Sequence, residues 1–82
     1  MLGVSVIEGS DGLEVKKVRP SSPVDRIGVE RGDAILGLSG APTKTLAEFR
    51  RKIIEVRLSQ SLLLSIARGQ QLYQVTIPLD QG

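Results

Sequence analysis

The chain has no cysteine, no histidine and no tryptophan. Without cysteine there is no disulfide and no thiol nucleophile. Without either residue the usual zinc ligand sets are missing. Histidine is also the commonest general base, so catalytic triads built on it are excluded. The absence of cysteine fixes no redox compartment. Aromatic residues are scarce as well. Phe49 and Tyr73 stand alone, so aliphatic side chains must build the core, and base-stacking platforms for single-stranded nucleic acid are lacking. No apolar run approaches the roughly 20 residues of a membrane-crossing helix, and no signal-peptide pattern is present. The net charge of +2 is too small to argue for nucleic acid. Eighty-two residues make one domain. The chain reads as a single unit, residues 1–82, excised from a larger protein that carries targeting and anchoring parts.

The first third alternates with period two. In "GVSVIE", Val4 and Val6 flank Ser5, as in a strand with one buried face. "EGSDG" is turn chemistry, and "LEVKKV" alternates again from Leu13 to Val18, which makes a hairpin. Pro20 ends that strand. Ser22 before Pro23 is an N-cap followed by proline at the first helical position, and Gly28 limits the helix to 23–27. "AILGL", residues 34–38, reads as a short strand buried on both faces, and "SGAP" as a turn. Thr45 and Glu48 form a capping box ahead of Leu46, Phe49, Ile53 and Val56 at helical spacing. Residues 61–67 and 72–79 are the last strands, with Tyr73, Val75 and Ile77 on one face. The sum is an α+β, β-rich domain: a small, partly open five-stranded barrel or sandwich capped by one short and one longer helix.

The stretch "RPSSPVDRIGVERGDAILGLSG" resembles the signature of bacterial PDZ domains, through Pro20, Ser22, Pro23, Val24, Ile27, Gly28, Val29, Gly32, Asp33, Ile35, Leu38 and Gly40. Val24 and Ile27 depart from it, replacing two usual alanines. The resemblance covers the whole chain, and the opening Leu2-Gly3-Val4 is similar to the loop that begins the circularly permuted PDZ domains of HtrA-type, trypsin-like serine proteases. In that order the last strand leads back to Leu2, so the termini should lie close together. The signature itself is scaffold chemistry. Pro20, Gly28, Gly32 and Asp33 are expected to serve turns, with Asp33 accepting hydrogen bonds from turn N–H groups.

The resemblance implies where function sits. The N–H groups of Leu2, Gly3 and Val4 would form a nest for a C-terminal carboxylate. The ligand would add as a strand to Ser5, Val6 and Ile7. Leu2, Val4, Val6 and Ile53 would line an aliphatic pocket for an apolar last residue. Leu46, Arg50, Ile53 and Ile54 would form the helical side of the groove, with Arg50, Arg51 and Arg57 favouring acidic residues upstream. The implied partners are protein C-termini or extended segments, and other domains of the parent. No cofactor, no metal, no nucleic acid and no direct membrane insertion is expected, and the implied location is the periplasm or another extracytoplasmic face.

Three other readings compete. An enzymatic one needs a catalytic set the chain lacks; a Ser–Lys dyad would require a lysine in an apolar setting, and none has one. A nucleic-acid reading of the basic helix lacks charge and stacking rings. A structural or oligomerising PDZ domain with a degenerate groove differs from the peptide-binding reading in one respect: its loop N–H groups are covered. The helix residues also have an ordinary role. Phe49 belongs to the core, and Arg50, Arg51 and Lys52 suit a solvated face.

Overall fold

A computed structural model describes residues 3–10, 12–56, 58–59 and 61–78. The order is β1 (Val4–Glu8), β2 (Leu13–Val18), α1 (Pro23–Arg26), β3 (Ala34–Leu38), β4 (Ala41–Pro42), α2 (Leu46–Val56), β5 (Ser61–Arg68) and β6 (Gln71–Pro78). The strands form one antiparallel sheet in the order β1-β2-β3-β5-β6, with β4 attached to β3. The sheet does not close, so β1 and β6 end the path.

Six strands replace the expected five. The residues read as a turn, 39–42, contain a two-residue hairpin: Leu38 pairs with Ala41 across Ser39 and Gly40. Both turn residues have positive φ, 49° and 85°, as a type I′ connection requires. A strand of two residues ending in proline has no period to detect. The β3 strand is also less enclosed than expected, since Ala34 and Leu36 are half-buried. On β6 only Ile77 is fully buried; Val75 is half-buried and Tyr73 exposed. The strand leaves the core progressively along its shared face.

Local chemistry explains the helix ends. Ser22 Oγ accepts from the Asp25 N–H at 3.3 Å. At the other end Gly28 takes φ +93°. Its N–H bonds to Asp25 O and the Val29 N–H to Val24 O, both at 3.1 Å. That is a Schellman stop, with buried Val29 and Val24 supplying its apolar contact. The α2 capping box forms as expected: Glu48 N–H donates to Thr45 Oγ1 and Thr45 N–H to Glu48 Oε1, each at 3.1 Å. The Lys44 N–H adds a bond of 2.8 Å to the same oxygen. These backbone donors, Lys44 first, hold the Glu48 carboxyl below its ordinary pKa.

The core is aliphatic apart from Phe49. Leu13, Val15, Ile35, Leu38, Leu62, Leu64 and Ile77 are all buried, with Val24 and Val29 from the α1 region. Each such side chain contributes about 1.5–3 kcal/mol on burial. Val4, Val6, Leu46, Ile53 and Val56 are only half-buried against it. They mark where α2 lies beside β1.

Candidate functional site

The site is built from the free edge of β1, the loop before it, and α2. Gly3 sets the loop. Its φ is +82°, and a Cβ there would lie 2.2 Å from Ser22 Cβ. Both the left-handed backbone and the close approach exclude a side chain. The Arg19 N–H donates to the Gly3 carbonyl at 2.7 Å, which pins the loop to the turn after β2. A trans peptide is planar, with C=O and N–H opposed. Because the Gly3 carbonyl points to β2, the Val4 N–H points away from it, to the free edge. Backbone groups alternate along a strand, so Val6 presents its pair to the same edge. The β1 strand has one partner, β2, among the described strands.

The side chains sort by face. Val4 and Val6 point to the core side, while Ser5 and Ile7 are exposed. On α2, Leu46 and Ile53 are half-buried toward the same core. Arg50 and Arg51 are exposed. Ile54 is 59% exposed, off the packed stripe. Val4, Val6, Leu46 and Ile53 are thus the half-buried aliphatic side chains that β1 and α2 lay against the core, and Arg50 is exposed on α2. Leu2 and Arg57 lie outside the described residues, as does the junction of the two termini.

Pattern reading missed two residues with long-range partners, one at this site and one in the frame. Glu8, at the end of β1, accepts from the Leu46 N–H at 3.0 Å. This bond ties the first turn of α2 to β1. A single acid after a strand gives no signal of such a link. The second is Arg68. Its Nε donates to Asp33 Oδ1 and one terminal nitrogen to Asp33 Oδ2, both at 2.9 Å. The same nitrogen reaches the Gly28 carbonyl at 2.8 Å. Asp33 also accepts from the Glu30 N–H at 2.9 Å, a turn donor of the kind expected. Burial alone would raise the Asp33 carboxyl, but Arg68 and the Glu30 N–H outweigh it and hold its pKa below the ordinary value. Arg68 is correspondingly raised, mainly by its hydrogen bonds to Asp33.

Gly28 and Asp33 therefore lie in the frame with Arg68, whereas Pro20 lies beside the loop that begins β1. No cluster of three acidic, histidine or cysteine side chains suited to a metal occurs among the described residues.

Residues 1–79 match the family described as "PDZ domain". The chain is a member of the PDZ family. It is 32% identical over 76 residues to the putative serine protease HhoA of Synechocystis, covering 93% of this PDZ chain and 19% of that protein. It is 41% identical over 63 residues to the periplasmic serine endoprotease DegP of Salmonella typhimurium, covering 76% of the chain and 13% of that protein. The chain thus spans less than a fifth of the length of either relative. Among solved structures, the HtrA3 PDZ domain bound to a phage-derived ligand, FGRWV, superposes with a TM-score of 0.82 at 25% identity, over 95% of this chain and 82% of that one. The PDZ fold expected from the signature is the fold found, and its relatives are HtrA-type serine proteases.

Proposed function

We propose that this PDZ domain captures the C-terminal carboxylate of a protein and adds its last residues as an antiparallel strand along β1. The observation that carries this is the orientation of the Gly3–Val4 peptide: the carbonyl is held by Arg19 and the Val4 N–H faces the unpaired edge. Val4, Val6, Leu46 and Ile53 then form an aliphatic trough that receives an apolar last residue. The ligand of the HtrA3 PDZ domain, FGRWV, ends in one. Leu2 would add a further N–H and side chain. Each backbone hydrogen bond contributes about 1 kcal/mol net, and ordering the peptide offsets part of it. The affinity should be on the order of micromolar or weaker.

The parent protein is a serine protease of HtrA type acting outside the cytoplasm, in which this non-catalytic domain selects or positions substrates. Similarity to HhoA and to periplasmic DegP supports that reading. The gene upstream of this segment should encode a trypsin-like catalytic domain.

The test is an amide NMR titration with a peptide ending in a free valine, against the same peptide amidated. Shifts at Gly3 through Ile7 and along α2, lost with the amide, are expected. Equal shifts with both peptides would remove the carboxylate from the mechanism. No shifts at millimolar peptide would favour a structural domain with a degenerate groove.

A further inference from the structure

The outer face of the β1–β2 hairpin carries a feature the groove does not explain. Ser5 faces Lys17, but Val6 faces Val15, so Lys16 is an extra residue in β2, a β-bulge. The bulge breaks the alternation of β2. Lys16 and Lys17 are both exposed, between buried Val15 and half-buried Val18. Lys16 pairs with Glu14 at 3.1 Å. Lys17 and Arg19 make no ion pair among the described residues. Together with Gly3, Val4, Ser5, Val18 and Pro20 they line a pocket of about 360 Å³. Two unpaired cations thus stand over the outer side of the loop that begins β1.

We infer that this pocket reads the penultimate residue of the ligand and favours an acidic side chain there. The inference rests on the strand-addition reading above. Side chains of an added strand alternate between faces. If the last residue enters the trough with Val4 and Val6, the next one back projects to the opposite face, that of Ser5. Ser5 has Lys17 as its own cross-strand partner on β2, with Arg19 beyond, so the ligand residue meets these cations across Ser5. Among the described carboxylates nearby, Glu14 is held by Lys16, Glu8 accepts from the Leu46 N–H and Asp25 from the Ser21 N–H, and none of the three lines the pocket. The field at the penultimate position is therefore positive. Arg50 lies across the edge, on the trough side, and acts on inward-pointing ligand residues.

Charges at such a solvated position act modestly and are screened by salt. At low ionic strength a peptide ending in Glu-Val should bind roughly five-fold more tightly than one ending in Lys-Val, with Gln-Val between them. The gap should shrink as salt is added. Fluorescence anisotropy with the three peptides, on the wild type and on Lys17→Glu and Lys17→Glu/Arg19→Glu, decides the matter. The single variant should erase the preference and the double variant invert it, with amide spectra showing the fold retained. Equal binding of all three peptides by the wild type, or an unchanged order in the double variant, would overturn the inference and leave the carboxylate reading intact. An amidated Glu-Val peptide binding as well as the free acid, or no peptide binding, would overturn both.

Discussion

The corner around Asp33 and the edge around Gly3 solve opposite problems. At the corner a carboxylate is buried and almost every lone pair is used: two bonds from Arg68 and one from the Glu30 N–H. At the edge the side chains are half-buried Val4, Val6, Leu46 and Ile53, and the N–H of Val4 is left toward open space. The distinctive residues of the chain hold the frame, whereas the plainest ones make the site. Chemical conspicuousness is a poor guide to function when the function is backbone hydrogen bonding, because every residue but proline has the same groups.

The contrast predicts separable effects. The largest belongs to the corner. Asp33→Ala should lower the unfolding free energy by about 2–3 kcal/mol, since it removes three bonds to one charged group, as read by urea denaturation. Peptide affinity of the folded fraction should stay within about two-fold, because no part of the edge touches Asp33. A large loss of affinity in that fraction would mean the two regions are not independent. The same corner sets the acid limit. Asp33 has a native pKa below its unfolded value, so it stabilises fully above roughly pH 4, and this contribution is lost as pH falls through the lowered native value. Asp33→Asn should flatten the stability profile below that pH.

Gly3→Ala comes next and should break the edge. Positive φ costs an alanine about 1–2 kcal/mol, and the new methyl must also displace Ser22. Peptide affinity should fall at least about ten-fold, by titration calorimetry. Wild-type affinity in this variant would show that the loop geometry is not what reads the ligand. Thr45→Ala, which removes an N-cap, should cost about 1 kcal/mol of stability. The smallest effect is expected at Ile54→Ala. Its side chain is largely exposed, so denaturation should show a change within about 0.5 kcal/mol, while any change in peptide affinity would place Ile54 at the groove.

Much of this was legible in the chain. Period-two alternation located β1, β2 and β6, an apolar run located β5, and the Ser22-Pro23 and Thr45–Glu48 pairs located both helix starts. What escaped was non-local or too short. The β4 strand has two residues. The ion pair from Arg68 spans 35 positions to Asp33, and the hydrogen bond that the Leu46 N–H donates to Glu8 spans 38; nothing in a local pattern links such partners. The edge residues were named through resemblance, and their half-burial suits both a core strand and a groove wall. Only the direction of one peptide plane separates the two.

The bulge at Lys16 has a consequence for how the hairpin can change. A strand has two sides, so its bookkeeping is one of parity: each residue added or removed exchanges inside and outside for everything beyond it. Here one odd residue restores Val18 to the interior after two outward lysines. Substitutions at Lys16 or Lys17 leave that count untouched, so the outer surface is free to vary in charge. Deleting one of them would remove the bulge and leave a regular ladder, with Val6 still opposite Val15, the remaining lysine opposite Ser5 and Val18 opposite Val4; inserting a further residue there would instead turn Val18 out to water. The hairpin is therefore tolerant of new letters and of losing its one odd residue, and intolerant of gaining another.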